Sequence, residues 1–216
     1  MLYRKASTQG PWLRPPLQPL LTLQQPLSYV SREHIADVFA SQEHGRRDIS
    51  VCFTGHRVIP AEELPALTER LDALLEALYQ RGFRDFWCGG ALGFDTLAAQ
   101  RVLLLRNRHE GIRLCLAIPC STQSARWNAD DCLVYEQLLY AADETKVLAR
   151  QYYEGCMLAR NRYMVDSSAL CLCYLHHQKG GTMYTALYAT RQGIPLLNLA
   201  IPGDCERFLR QSKTKA

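Results

Sequence analysis

Two glycine-rich turns hold the residues of this chain whose types and spacing suggest chemistry most clearly. Each turn lies between an apolar run and a helical pattern. Glycines there let the backbone approach a ligand, and the N-terminus of the next helix offers free N–H groups and the positive end of its dipole. The turns therefore predict a site for phosphate or a similar anion. Their residues are Gly89, Gly90, Gly93, Gly180, Gly181 and Thr182.

Neither turn matches a complete nucleotide-binding motif. The first lacks the G-x-G-x-x-G dinucleotide pattern, and no Lys-Ser or Lys-Thr pair follows it as in a Walker A loop. A tight strand-to-helix turn without a ligand is the alternative interpretation. The second turn strengthens the phosphate hypothesis, because Thr182 adds a hydroxyl that can donate to a phosphate oxygen.

A third polar segment follows another apolar run and consists of Thr54, Gly55, His56 and Arg57. Arg57 can bind a phosphate through two parallel hydrogen bonds, although an arginine without a partner is the commoner case. His56 can act as a general acid or base, or as a structural hydrogen-bonding group. The segment thus adds an imidazole and a guanidinium to the predicted site.

Three further polar residues lie on predicted helices. Asp95 begins the helix after the first glycine turn, where it can complement the helix dipole or accept hydrogen bonds from a ribose. Arg160 and Asn161 precede the second turn, and Arg160 can reach the same cleft or lie on a solvated helix face. The candidate catalytic groups are Arg160, Asp95 and His56.

The cysteines and the paired histidines do not predict a metal site. Nine cysteines form no C-x-x-C module, which indicates neither a disulfide framework nor a zinc ribbon but buried reduced thiols. His176 and His177 are adjacent, yet no Cys, Asp or Glu stands at a ligand spacing around them. We therefore expect no bound metal.

Short apolar runs alternate with helix-length segments from residue 48 onward. Strands are predicted over 49–53, 84–88, 112–118, 145–149, 169–175 and 195–199, and helices over 61–81, 93–108, 124–141, 157–166 and 182–192. This alternation predicts an α/β, Rossmann-like, doubly wound and mainly parallel sheet of about six strands with helices on both faces. Ligands bind such sheets at the carboxyl ends of the strands, where the polar segments above should meet.

Composition fits one globular domain with two extensions. The chain has 216 residues, of which 48% are hydrophobic and 21% charged. Residues 1–47 form a proline-rich extension with a short helix predicted over 31–42, residues 48–205 form the domain, and residues 206–216 form a basic C-terminal tail.

Charge and hydropathy narrow the classes of partner. The formal net charge is +4 and is scattered along the chain, so it demands no nucleic-acid or membrane surface. No run approaches the roughly 20 apolar residues that span a bilayer. The proline-broken N-terminal segment does not match a secretory signal, and we expect a cytoplasmic protein.

In combination, these motifs strongly resemble the YspA (YpsA) branch of the SLOG superfamily, in order over about residues 48–200. The superfamily also contains the DprA/Smf proteins and the LOG phosphoribohydrolases. The resemblance implies a Rossmann-like domain that binds a nucleotide or nucleotide-derived ligand, with NAD or ADP-ribose among the candidates, no required cofactor, and a homodimer. The segments that carry it are 53–57 (FTGHR), 88–95 (CGGALGFD), 118–120 (IPC) with Gln123 and Trp127, 160–166 (RNRYMVD) and 180–182 (GGT).

LOG enzymes cleave the N-glycosidic bond of nucleoside monophosphates with an arginine and with a glutamate from a P-G-G-x-G-T-x-x-E loop. Arg160 resembles that arginine, but Thr185 stands at the glutamate position. A hydroxyl cannot replace a carboxylate that stabilises an oxocarbenium-like centre or acts as a base. The resemblance thus implies a phosphate cradle without LOG chemistry, unless Asp95 or Asp166 supplies the carboxylate.

Three functions follow in descending order of support. The first is a cytoplasmic sensor or regulator that binds a small nucleotide-type ligand. The second is a nucleotide-processing enzyme such as an N-glycosidase with altered catalytic residues. The third is DprA-like binding of single-stranded DNA, for which the scattered charge offers no evident basic groove.

Overall fold

The computed structural model describes residues 46–177 and 179–213. The proline-rich extension and its helix over 31–42 lie outside the described residues, apart from Arg46 and Arg47. The strands are β1 Ser50–Gly55, β2 Asp85–Cys88, β3 Arg113–Ile118, β4 Glu144–Val147, β5 Leu170–Tyr174 and β6 Leu196–Asn198. The helices are α1 Leu64–Gln80, α2 Phe94–Arg106, α3 Ala129–Ala141, α4 Cys156–Asp166, α5 Gly180–Arg191 and α6 Pro202–Lys213.

The six strands form one sheet in the order β4-β3-β2-β1-β5-β6, and every neighbouring pair is parallel. Residues of β2 and β5 are buried along their whole length, as expected for central strands covered on both faces. The prediction of a Rossmann-like parallel sheet is therefore confirmed. The chain winds from β1 outward to β4 and then crosses back to β5, so the strand order reverses between β1 and β5.

Each face of the sheet has its own apolar layer because successive side chains of a strand point to opposite faces. Phe53 packs with residues of α1, α2, α3 and α6, whereas Cys52 packs with residues of α4 and α5. In α1, Leu67, Leu71 and Leu78 recur at helical spacing and are fully buried. Burial of each leucine stabilises the fold by about 2 kcal/mol.

Helix α6 has no counterpart among the predicted helices. The basic tail predicted for 206–216 is helical as far as Lys213. Cys205 is buried and Phe208 packs against the core, with the Arg81 guanidinium 3.7 Å from the centre of its ring. Most residues of this segment are polar, and its apolar residues Cys205, Phe208 and Leu209 form one narrow stripe at helical spacing.

All nine cysteines are free thiols, and eight of them are buried. Burial raises the pKa of the Cys88 thiol well above the usual value, and a hydrogen bond with Cys52, together with burial, does the same for the pKa of the Cys171 thiol, so both stay protonated. The thiols therefore behave as small apolar side chains, as predicted from the sequence. Among the described helices, none is long and apolar enough to cross a membrane.

Candidate functional site

A cleft of about 460 Å³ opens at the carboxyl ends of β1 and β5, at the reversal of strand order. This is the position at which open α/β sheets bind their ligands. We call it the switch-point cleft. Its lining is Thr54, Gly55, His56, Arg57, Ala91, Asp95, Met157, Leu158, Arg160, Asn161, Met164, Lys179, Gly180, Gly181 and Thr182.

Most of the predicted site residues meet in this cleft, but the three glycines of the first turn do not line it. Gly93 has a φ of +79°, and a Cβ there would overlap the backbone of Arg57. A Cβ on Gly89 would overlap the Arg160 guanidinium and lie 2.6 Å from Oδ2 of Asp95. Gly90, at φ +60°, leaves only 3.0 Å to Ile118. Contacts within the protein therefore explain why glycine is required at all three positions.

The second glycine turn, in contrast, faces open space. A Cβ on Gly180 would meet nothing within 4 Å, and one on Gly181 would meet only Asn161, at 3.8 Å. Helix α5 begins here, and Lys179 caps it without a side-chain hydrogen bond. Thr182 is only 9% exposed, and no described residue forms a hydrogen bond with its hydroxyl. This turn offers free donors to a ligand.

Arg160 and Asp95 hold the first turn from both sides. Arg160 is 6% exposed, donates from Nε to Oδ1 of Asn161 at 2.7 Å, and donates from Nη1 to the Gly89 carbonyl. Oδ2 of Asp95 accepts from the backbone N–H groups of Gly89, at 3.1 Å, and Ala91, at 3.4 Å. The interpretation of Arg160 as a solvated surface residue is therefore wrong.

Burial dominates the electrostatics of this pair. It raises the pKa of the Asp95 carboxyl, against the opposing effects of the Arg160 charge and the two backbone donors. Burial likewise lowers the pKa of Arg160. Oδ1 of Asp95 has no hydrogen-bond donor among the described residues, so the carboxyl keeps one oxygen free in the cleft.

Thr185 connects α4 to the open turn. Its hydroxyl accepts a hydrogen bond from Nδ2 of Asn161 at 2.7 Å and donates one to the Gly181 carbonyl at 2.8 Å. The side chain is buried, and this hydroxyl already has a donor and an acceptor. Thr185 therefore shapes the turn and has no reactive group to offer.

His56 also has a structural role in this geometry. Its Nε2 accepts hydrogen bonds from the backbone N–H groups of His176, at 2.9 Å, and His177, at 3.3 Å. Burial lowers the pKa of His56, and the neighbouring charges of His177 and His176 lower it further. The imidazole is thus neutral, and Nε2 is already occupied by the loop after β5.

Positive charge surrounds the cleft. Arg57 and Lys179 are exposed, and neither forms an ion pair with an acidic residue in the part of the chain that the structure describes. With the buried Arg160 they give three cations around one carboxylate, Asp95. Such a field favours an anionic ligand.

Five lining residues were absent from the predicted site: Ala91, Met157, Leu158, Met164 and Lys179. Met157 and Met164 share a face of α4 with Arg160, at spacings of three and four residues, which a helical projection would have revealed. The only sequence signal for Lys179 is that it directly precedes Gly180. Met157 and Leu158, both half-buried, give the cleft an apolar wall, whereas Met164 is buried beneath it.

Two other features weighed in the sequence, the Asp166 carboxylate and the paired histidines His176 and His177, do not line the cleft. Asp166 accepts a hydrogen bond from the Tyr188 hydroxyl at 2.9 Å and lines a cavity with Ser50 and Asp85, away from the switch-point cleft. Within residues 46–177 and 179–213, no three His, Cys, Asp or Glu side chains are arranged to hold a metal ion. Asp95 is thus the carboxylate that the cleft contains.

Comparison with known proteins agrees with this fold. The family model of the YspA SLOG family matches residues 58–193. The SPbeta prophage-derived protein YoqJ of Bacillus subtilis is 30% identical over 138 residues, which cover 58% of this chain and 81% of YoqJ. A UPF0398 protein of Halalkalibacterium halodurans is 31% identical over 111 residues, covering 50% of this chain and 59% of that protein.

A solved structure extends the comparison to the fold. DNA processing protein A from Helicobacter pylori, described by its single-stranded DNA binding mode, superposes with a TM-score of 0.55 at 19% identity, covering 81% of this chain and 84% of that one. At this identity the likeness concerns the fold alone. The family match, in contrast, spans more than half of the sequence, from residue 58 to residue 193, so the chain belongs to the YspA SLOG family.

Proposed function

We propose that the protein binds a nucleotide or nucleotide-derived ligand in the switch-point cleft, as a sensor or regulator in the cytoplasm. The observation that carries the proposal is the open turn at the start of α5, where N–H groups without a side-chain cap lie beside the hydroxyl of Thr182, a residue that is only 9% exposed. A phosphate satisfies these donors together, as at other helix N-termini. The nine free thiols suit a reducing compartment.

The charges of the cleft support the same assignment. Arg57 is exposed and suited to a phosphate, because its guanidinium can form two parallel hydrogen bonds. The free oxygen of Asp95 can accept from a ribose hydroxyl on the opposite side of the cleft. Met157 and Leu158, both half-buried, provide apolar surface against which a base can pack.

A sensor fits better than an N-glycosidase of the LOG type because Thr185 has no carboxylate and its hydroxyl is already hydrogen-bonded. Asp95 nevertheless favours hydrolysis as a second candidate, since burial raises the pKa of this carboxyl inside the cleft. Release of free base from nucleoside monophosphates, lost in Asp95→Asn, would establish the hydrolase.

The first experiment is a thermal-shift panel of nucleoside mono-, di- and triphosphates, NAD, ADP-ribose and cyclic dinucleotides, followed by calorimetry of each hit. A ligand that binds only the folded state raises the melting temperature. Chromatography of the recovered ligand then separates a sensor, which returns it intact, from a hydrolase.

A matched pair of glycine variants tests the location. Gly181→Asp should abolish binding, because it sets a carboxylate where the phosphate approaches the N–H groups. Gly203→Asp is the control, since Gly203 lies in the first turn of α6 with nothing within 4 Å of its Cβ position. Unchanged affinity in a folded Gly181→Asp protein would exclude the open turn as the site.

A further inference from the structure

A second cavity adjoins the switch-point cleft. It measures about 540 Å³, and we call it the histidine cavity. It shares two lining residues, His56 and Arg57, with the cleft. The two spaces are therefore neighbours across a common wall. The lining of the histidine cavity is His56, Arg57, Val58, Pro60, Glu63, Tyr174, His176 and His177.

The histidine cavity presents flat rings and apolar surface. The rings of His56 and His177 lie 5.4 Å apart and those of His56 and His176 lie 6.3 Å apart, while the Tyr174 ring is fully buried. Val58 is 79% exposed, an unusual position for an apolar side chain beside a cavity. Such a lining suits a planar heteroaromatic group, which can stack on the rings and cover the valine.

Polar contacts hold this lining in place. Nε2 of His176 lies 3.0 Å from Oε2 of Glu63, and the Tyr174 hydroxyl donates to the same oxygen at 2.7 Å. These contacts lower the pKa of Glu63, which therefore remains an acceptor for its two neighbours. The site is thus formed before a ligand arrives.

The common wall carries the charge that a bridging group would need. Arg57 lines both spaces, and its guanidinium forms no ion pair with a described acidic residue. His56, the other wall residue, is fixed by its hydrogen bonds to the loop after β5. A phosphate at Arg57 would therefore stand between two spaces, each of the size that small-molecule sites occupy.

We propose that the ligand is a dinucleotide of the diphosphate class, in which two nucleosides are joined through their phosphates. One nucleotide lies in the switch-point cleft with its phosphate on the open turn of α5. The second phosphate binds Arg57, and the second planar group enters the histidine cavity. This inference rests on the proposed function and specifies its ligand.

An oligonucleotide fits the two spaces less well. Its backbone would continue beyond the histidine cavity, where Glu63 lines the wall and the exposed Glu62 precedes it in sequence. Proteins that bind single strands follow the backbone with positive charge instead. A small diphosphate ends inside the cavity and avoids this repulsion.

Calorimetry on the full chain with three probes tests the inference. The probes are AMP, diadenosine diphosphate and a short oligothymidylate. We expect diadenosine diphosphate to bind at least about tenfold more tightly than AMP, because it fills both spaces. Equal affinities for these two probes, or tighter binding of the oligothymidylate, would overturn the inference. Failure of every nucleotide probe and of the panel above would instead overturn the proposed function itself.

A pair of valine variants locates the second group. Val58→Trp fills the histidine cavity and should weaken diadenosine diphosphate about tenfold while leaving AMP within about twofold. Val147→Trp is the control, since Val147 is also half-exposed but lies on β4 and lines neither space. An equal effect of Val58→Trp on both probes, or no effect on either, would show that the dinucleotide does not use the histidine cavity.

Discussion

Two glycine turns of one sheet differ in what fills the space beside them. The first, at Gly89 and Gly93, is occupied by the side chains of Arg160 and Asp95 and by the backbone of Arg57. The second, at Gly180 and Gly181, has almost nothing within 4 Å. Both look like phosphate loops in sequence, so the comparison teaches that a glycine marks close approach without saying whether protein or ligand approaches.

The largest expected effect contrasts one alanine in each turn. Gly93→Ala should destabilise the fold by about 4 kcal/mol, because it combines a φ of +79° with overlap of the Arg57 backbone. Gly181→Ala should instead stabilise by up to about 1 kcal/mol, since alanine is the better helix former at an open position. Urea unfolding of both variants measures these changes in unfolding free energy. Similar losses of stability in both variants would contradict the difference between the two turns.

Removal of the side chain that fills the first turn should have the next largest effect. Arg160→Met leaves the Asn161 amide oxygen without its donor and the Gly89 carbonyl with only the long bond from Nε2 of Gln123, at 3.4 Å, at a cost of about 3 kcal/mol. Arg162→Met is the matched control on the same helix, because Arg162 is exposed and bonds only Tyr184 among the described residues. We expect the control to lose less than about 1 kcal/mol in chemical denaturation.

A threonine pair separates binding from stability at the open turn. Thr182→Val should leave the free energy of unfolding within about 0.5 kcal/mol of the parent, because its hydroxyl has no described partner, yet weaken the best nucleotide of the panel about tenfold. Thr185→Val should cost about 2 kcal/mol of stability, since it breaks the contacts to Asn161 and Gly181. Calorimetry and unfolding are measured on the same samples. A large loss of stability in Thr182→Val, or a large loss of binding with unchanged stability in Thr185→Val, would contradict the roles given to the two threonines.

The smallest expected effect concerns the pH dependence of the first turn. The pKa of Asp95 is raised in the folded protein, so its stabilising contribution is full below the ordinary value of 3.8 and is lost as the pH rises through the folded value. Asp95→Asn removes this dependence while keeping an acceptor for the N–H groups of Gly89 and Ala91. The unfolding free energy of the parent minus that of the variant should therefore fall with rising pH; a flat difference would mean that the pKa is not raised.

Much of the fold follows from sequence because buried parallel strands are apolar throughout and end at glycine or proline. The run from Leu114 to Ile118, which is followed by Pro119, is of this kind. Helix α6 was not predicted from the sequence, because the segment is mostly polar and its helix depends on packing of Cys205 and Phe208 against the core.

The position of the cleft also follows from sequence, because the carboxyl ends of parallel strands converge on one edge. The hydrogen-bond partners of the side chains in the cleft do not follow from the sequence. No spacing pattern reveals that Arg160 reaches the Gly89 carbonyl, or that the loop after β5 occupies His56. Such contacts join residues far apart in the chain and depend on the depth of burial.

The hydrogen bonds of Thr185 have a consequence for any attempt to turn this protein into a glycosidase. A glutamate at this position would supply the carboxylate of the related hydrolases but would remove the hydroxyl that links Asn161 to the Gly181 carbonyl. Reactivity and the shape of the turn are therefore competing demands on one residue. Conversion would need a second substitution that supports the Gly181 peptide from elsewhere.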